Sequence, residues 1–258
     1  YGKPHGRMAI DAYRKVHLDT YRMIRRTGPA AKIMTHQGWY RVMPMQHFTD
    51  VIIGGEGVEN MISSTGSYYS VLTPEMFRAT FLPQIWGVKT AFLNMLVRAT
   101  ARSPEKLVRF AEDPEAQRAT RHYYGYCMVH DVDAWDSHKE TRDVRETVWQ
   151  VQDQLGWDEN VRFHPYWEKD SAVTLASPES TRILSSAYSR DGKLLLTVLN
   201  DTDHPQSITL HLDLPALGVQ PGMTGQDAFE TSKAFILGNV WGDTIPPRGF
   251  RLVLWERD

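Results

Sequence analysis

Gly156 divides this sequence into two textures, and the division limits the possible folds more than any other feature. Before it, short apolar runs alternate with amphipathic helical stripes; after it the stripes stop. Met8 to Arg26 carries Ile10, Tyr13, Val16 (or His17), Tyr21 and Ile24 near helical spacing and ends at Gly28-Pro29. Thr73-Pro74-Glu75, Ser103-Pro104-Glu105 and Asp113-Pro114-Glu115 each read as a helix start, an N-cap residue followed by proline in the first turn. Val144, Val148, Val151 and Leu155 form the apolar stripe of a helix from Thr141 that Gly156 closes. With strands at Lys32 to His36 and Val51 to Gly55, and an apolar segment from Ile85, this alternation predicts a parallel α/β region. Beyond it, Leu194 to Leu199, Ser207 to Leu212 and Phe250 to Trp255 are strand-like runs punctuated by Asp191-Gly192, Asn200-Asp201 and Pro246-Pro247-Arg248-Gly249. That pattern predicts an antiparallel β-sandwich, with the boundary between residues 157 and 178.

The stretch Asp50-Val51-Ile52-Ile53-Gly54-Gly55-Glu56 bears most directly on chemistry. Three β-branched residues bounded by Asp and Gly suit a strand buried on both faces. The glycines permit a sharp turn and leave room for a ligand, and the turn delivers a carboxylate. In a (β/α)8 barrel the carboxyl ends of the strands carry the active site. Glu56 is therefore a candidate general acid, base or nucleophile; the alternative is a solvated turn residue or a helix N-terminal acid.

Composition closes off several other classes. A net charge of -2 gives no electrostatic case for nucleic acid or an anionic membrane. No apolar run approaches the ~20 residues of a membrane span. Cys127 is the sole cysteine, which excludes an intrachain disulfide and zinc sites built on cysteine pairs. Nucleotide-binding glycine loops and the Gly-x-Ser-x-Gly elbow are absent, so no cofactor is expected. No His-x-x-x-His pair occurs, and no metal is expected from His36, His47, His130 and the nearby Asp residues. The sequence starts at Tyr1, and the expectation is a piece of a longer protein. Oligomeric state is not legible.

His47-Phe48-Thr49-Asp50, Gly55-Glu56, Leu72-Thr73-Pro74-Glu75-Met76-Phe77-Arg78 and Ile85-Trp86-Gly87 resemble the second half of a bacterial glycoside hydrolase barrel, most closely the family-123-like set and its relatives. Phe163-His164-Pro165-Tyr166-Trp167 resembles the segment joining barrel to sandwich in such enzymes, and Tyr188 to Asn200 resembles their sandwich. The resemblance implies α/β plus all-β: the C-terminal part of a (β/α)8 TIM barrel over residues 1–160, then a β-sandwich with its linker over 161–258. It implies a glycosidase acting on a carbohydrate substrate, extracytoplasmic (secreted or periplasmic) in a bacterium. Family-123 enzymes use an adjacent Asp-Glu pair and the substrate's N-acetyl group. Here Gly55 precedes Glu56, so N-acetylgalactosamine specificity is not carried over. If the strands near residues 32, 50 and 85 end the barrel, five strands lie upstream.

Glycoside hydrolysis uses two carboxyl groups, about 5–5.5 Å apart for retention and about 6.5–9.5 Å for inversion. The best partners for Glu56 in this chain are Asp131 and Asp133, in His130-Asp131-Val132-Asp133, with Asp131 taken as the candidate; the alternative is an ordinary helix-ending turn. His36 ends its strand as Glu56 ends the next, where it can bond a sugar hydroxyl or orient a carboxylate; the alternative is a histidine satisfied by backbone. Trp39, Tyr68, Trp86 and His130 complete the expected substrate-binding set, since aromatic rings offer flat surfaces to the C–H faces of sugars; the alternative for the aromatics is core packing. Two other readings stay open. One is a non-catalytic carbohydrate-binding protein, the other an inert fragment of a larger glycosidase whose unpaired edge strands make it aggregate or dimerise in isolation.

Overall fold

A computed structural model describes residues 10–36, 46–55, 72–93, 114–135 and 142–256. The chain forms two compact units, residues 1–95 and 96–258.

The first unit opens with α1 (Ile10–Thr27), whose last turn carries Arg25 and Arg26, charges that suit a helix C-terminus. Gly28 N–H closes it on the Ile24 carbonyl at 2.8 Å. Strands β1 (Met34–His36), β2 (Val51–Gly54) and β3 (Lys89–Leu93) pair in parallel in that order, with Val51 opposite both Met34 and Lys89. Asp50 ties the start of this sheet together. Its carboxylate accepts from Arg25 Nη2 at 2.8 Å and from the Ile33 N–H at 2.7 Å. The Ile33 hydrogen bond, aided by Arg25 and opposed by burial, holds the Asp50 carboxyl below its ordinary range. Between β2 and β3 run α2 (Pro74–Phe81) and α3 (Pro83–Trp86), a crossover of the kind parallel strands require. Thr73 caps α2 as its sequence predicts, accepting from Met76 N–H at 3.2 Å. Phe77 and Phe81 project from α2 onto Phe92 of β3, with ring centroids 5.4 and 4.7 Å away.

The second unit contains α4 (Pro114–His130), β4 (Asp133–Trp135) and α5 (Arg142–Leu155), followed by nine strands. Six make one antiparallel sheet in the order β11 (Ala234–Ile236), β10 (Thr224–Asp227), β13 (Phe250–Trp255), β8 (Lys193–Asn200), β7 (Ile183–Arg190) and β5 (Arg162–His164). Three make a second antiparallel sheet, β12 (Val240–Ile245), β9 (Gln206–Leu212) and β6 (Val173–Ser177). One short helix, α6 (Leu214–Leu217), follows β9, capped by Asp213.

The two sheets enclose a common apolar core, and this explains their sequence patterns. Leu194, Leu196 and Val198 of β8 face Ile208, Leu210 and Leu212 of β9 across that core. The three-stranded sheet is covered on one face, so β9 alternates. On the opposite face of the larger sheet, α4 and α5 pack against β8, and α4 also against β7 and β13. β8 is thus covered on both sides, and its run Leu194-Leu195-Leu196-Thr197-Val198-Leu199 has no need to alternate. The helical stripe Val144, Val148, Val151 and Leu155 is buried as predicted. Gly125 lets α4 lie close to the sheet, since a Cβ there would stand 2.9 Å from Leu199 Cδ1 and 3.1 Å from the Phe250 ring. The compact units divide at 95/96, while α5 ends at Leu155 and the run of strands begins at Arg162. Among the described residues no helix is long and apolar enough to cross a membrane.

Candidate functional site

In the first unit the parallel register brings the carboxyl ends of β1 and β2 to one edge. His36 lies opposite Ile53, with Gly54 and Gly55 following. His36 is exposed there. Gly55 has φ +132°, a backbone shape that β-carbon-bearing residues rarely take. The space beside it is filled: a Cβ would stand 2.7 Å from the Leu93 carbonyl oxygen and 2.7 Å from the Phe92 ring. The glycine thus serves the turn and the close approach of β3, rather than leaving room for a ligand. Glu56, Trp39 and Tyr68 lie outside the described residues. Trp86 is not brought to this edge. It precedes β3, at the sheet's opposite end, and its half-buried indole donates to the Thr80 carbonyl at 2.9 Å.

In the second unit His130 and Asp131 mark the end of α4. A helix leaves its last carbonyls unpaired, and here the neighbouring sheet and the chain just past the helix supply donors for them. Tyr188 OH donates to the Met128 carbonyl at 2.6 Å, Ser186 Oγ to that of Val129 at 2.8 Å, and Val132 N–H to that of Cys127 at 3.1 Å. The last of these makes Asp131 the left-handed residue of a helix-ending motif, with φ +54°. Asp and Asn tolerate that conformation better than most residues, a structural reason for Asp131 that needs no catalysis. Its side chain is half-buried.

His130 is fully buried. Its ring lies between Tyr126 and Trp167, near-parallel to both, at centroid distances of 5.6 and 5.5 Å. Nδ1 meets the Tyr126 carbonyl at 2.8 Å, so Nδ1 carries a proton; Nε2 meets the Tyr166 hydroxyl at 3.0 Å. Neither nitrogen is left for a ligand. His130, expected from its sequence context to bind substrate, instead holds Tyr166 and Trp167 in place. Those two half-buried rings come from the Phe163–Trp167 segment, where Phe163 packs on Tyr188 at 4.8 Å.

One polar cluster escaped the reading of the sequence. Asp201, at the end of β8, has a fully buried carboxylate that meets His122 Nε2 at 2.8 Å, Tyr126 OH at 2.6 Å, Arg182 Nη2 at 2.6 Å and Arg248 Nη1 at 2.5 Å. Burial alone would raise the Asp201 carboxyl. The hydrogen bonds of His122 and Tyr126 and the charge of Arg182 outweigh it and hold the group below its ordinary value. His122 is itself pushed down by burial, against the pull of Asp201. Arg248 also pairs with Asp203 at 2.9 Å, so two guanidiniums balance two carboxylates and a neutral imidazole donating Nε2–H is the consistent state. The cluster joins α4 to three points of the β-structure, so it acts as a fastening. It shows in sequence only as Asn200-Asp201 and Arg248-Gly249 at strand ends, signals indistinguishable from turns.

Residues 144–234 match the family model described as "Glycoside hydrolase 123, C-terminal domain". No curated protein matches the chain. Solved structures of similar fold include a noncanonic maltogenic α-amylase, AmyB, of Thermotoga neapolitana, with a TM-score of 0.53 and 10% identity over 92% of this chain and 58% of that one. An Anoxybacillus α-amylase has a TM-score of 0.54 and 10% identity over 95% of this chain and 56% of its own. A GH30 endoxylanase of Clostridium papyrosolvens C71 has a TM-score of 0.50 and 9% identity over all of this chain and 63% of its own. At such identities the likeness is one of fold. This chain spans less than two thirds of each of those chains, 56% to 63%.

Proposed function

We propose that this chain is part of a glycoside hydrolase related to family 123, with residues 1–160 derived from the last part of a (β/α)8 barrel and 161–258 forming the β-sandwich domain. The similarity of residues 144–234 to the family-123 C-terminal domain carries this reading, since it ties the β-structure to a carbohydrate-active enzyme family independently of fold. Three parallel strands with a helical crossover, ending at a common edge, support the barrel assignment.

In this proposal Glu56 is the catalytic carboxylate, acting as general acid/base or nucleophile just past the turn at Gly55. His36, exposed at the neighbouring strand end, binds a sugar hydroxyl or orients the carboxylate. Trp39 and Tyr68 are proposed to hold the saccharide. Asp131 is the second candidate carboxylate. The substrate is a glycoside, with no nucleotide or metal taking part.

The test is Glu56→Gln in the protein that contains this chain, assayed on a panel of aryl glycosides. A loss in kcat of about 10²–10⁴-fold with the fold intact supports the assignment. Full activity removes Glu56 from the chemistry. Saccharide binding without turnover by the unaltered protein selects the non-catalytic binding reading, which Gly55 favours by standing where family-123 enzymes have the Asp of their pair.

A further inference from the structure

A cleft of about 390 Å³ opens within the second unit, between α5 and the β10–β13 side of the six-stranded sheet. Its volume lies in the range of small-molecule sites. Its apolar lining comes from the edges of Val151 of α5 and Leu254 of β13, both nearly buried, and from Ala228. Around it stand neutral polar side chains: Gln150 and Gln154 from α5, Thr224 and Gln226 from β10, and Thr231 beyond β10. Gln150 and Gln154 share a helix face, being four residues apart, and Thr224 and Gln226 share a strand face, being two apart. All five are exposed, and none of their side-chain amides or hydroxyls bonds to another described residue.

The two charged side chains of the cleft lining are engaged elsewhere, Glu256 with Lys193 and Asp227 with backbone N–H groups and, at 3.9 Å, Arg251. Glu256, at its rim, pairs with Lys193 at 3.1 Å, and Lys193 also donates to the Gln154 carbonyl at 2.6 Å. Asp227 contributes to the wall, but its carboxylate turns to the other face. It pairs in register with Val253, a residue of the inter-sheet core, and accepts from Phe229 N–H at 2.8 Å and Glu230 N–H at 2.7 Å. The cleft therefore offers no unpaired cation to a phosphate and no free carboxylate pair to a metal ion. It offers amides and hydroxyls that both donate and accept, beside apolar edges.

We propose that this cleft binds a neutral saccharide of one or two rings. Ring hydroxyls match the amides and hydroxyls of the wall, which serve either as donors or as acceptors. The C–H face of a sugar ring covers Ala228 and the edges of Val151 and Leu254. The inference goes beyond the glycosidase reading, because the cleft includes none of Glu56, His36 and Asp131 and requires no turnover. At the efficiency usual for ligands larger than fragments, a dozen non-hydrogen atoms give a Kd on the order of millimolar.

The experiment follows the side-chain amide resonances of Gln150, Gln154 and Gln226 in the 15N-labelled 258-residue chain. Galactose, N-acetylglucosamine and maltose are titrated separately, at low and high salt. At least one should give saturable shifts at these amides, at millimolar concentration and unaffected by salt. The double variant Gln150→Ala, Gln226→Ala should bind at least about tenfold more weakly. Both positions are exposed, and unchanged backbone resonances elsewhere verify the fold. The proposal fails if no sugar gives saturable shifts at these amides, if the shifts persist in the double variant, or if only glucose 6-phosphate or spermidine produces them. Glycosidase activity does not enter the readout, so these outcomes are separate from the fate of Glu56.

Discussion

The Tyr188 hydroxyl, on β7, donates to the Met128 carbonyl near the end of α4 across 2.6 Å, and both groups are buried. Burial also pushes the phenol well above its ordinary pKa, with Asp131 and Asp133 adding to the effect, so the hydroxyl remains a donor at every working pH. Tyr188→Phe keeps the ring contacts to Trp157 and Phe163 but strips the carbonyl of this partner. The expected cost is about 1–3 kcal/mol, the price of an unsatisfied buried acceptor. A shift in urea midpoint smaller than the change produced by a surface Tyr→Phe would disprove the helix-end role.

Asp201 is expected to be far more sensitive. Asp201→Asn leaves Arg248, almost wholly buried and then paired only with the exposed Asp203, and the half-buried Arg182 facing a neutral amide. Removing one member of a buried ion cluster costs about 3–5 kcal/mol, because the remaining charges stay desolvated. Replacing His122 by Gln keeps a donor toward Asp201 and should cost much less, about 1 kcal/mol. Equal destabilisation by the two variants would contradict a hub centred on the carboxylate.

How much of this was readable beforehand depends on sequence separation. The α5 stripe and the Thr73 cap are local patterns, and both are found as their residues predict. The unbroken β8 run is legible as a strand, but what covers its second face is not, because α4 reads poorly. His122-Tyr123-Tyr124-Gly125-Tyr126 shows no amphipathic stripe, since residues 122–130 of the helix are all buried. The Asp201 fastening joins partners 79 and 75 positions apart, beyond any periodicity argument. The direction of Gly55 was legible as a turn, while its tight contact with Phe92 was not, because register alone sets it.

Acid should loosen the second unit well above the usual carboxylate range. Burial lowers His164 to about 4, with the Arg162 charge contributing, and burial lowers His122 as well. A histidine whose folded pKa lies below its unfolded value of 6.5 binds more protons when unfolded. Its stabilisation is therefore complete above about pH 6.5 and is lost as pH falls toward the folded value. For His164 the loss amounts to about 3 kcal/mol at most. Asp201, depressed from 3.8, adds to the loss only at lower pH. Asp227 runs the other way: burial raises it despite hydrogen bonds from Glu230 and Phe229, so its contribution is lost as pH rises through its folded value. Urea midpoints should fall steadily from pH 7 to 4.5, and the slope should flatten in His164→Gln. A midpoint constant over that range would be incompatible with neutral buried imidazoles.

Gly55→Ala tests the strand edge beside the proposed catalytic residue. The methyl group meets the Leu93 carbonyl oxygen and the Phe92 ring at 2.7 Å, and φ +132° is itself strained for alanine. The combined cost is on the order of 3 kcal/mol, confined to the first unit. Hydrogen exchange should quicken at β2 and β3 amides and stay unchanged at β7 and β8. Uniform change across both units would mean that the substitution acts elsewhere.

Asp131 separates structure from chemistry because Asn shares its tolerance of the left-handed backbone. Asp131→Asn keeps the Val132 to Cys127 closure and removes only the charge. If Asp131 is a catalytic carboxylate, the variant should retain its melting temperature and lose about 10²–10⁴-fold in kcat in the protein that contains this chain. Asp131→Ala should show the same kinetic loss, together with about 1–2 kcal/mol of destabilisation from the left-handed conformation. Unchanged kcat in Asp131→Asn, with destabilisation appearing only in Asp131→Ala, would assign the residue to the helix end alone. The catalytic proposal would then rest on Glu56.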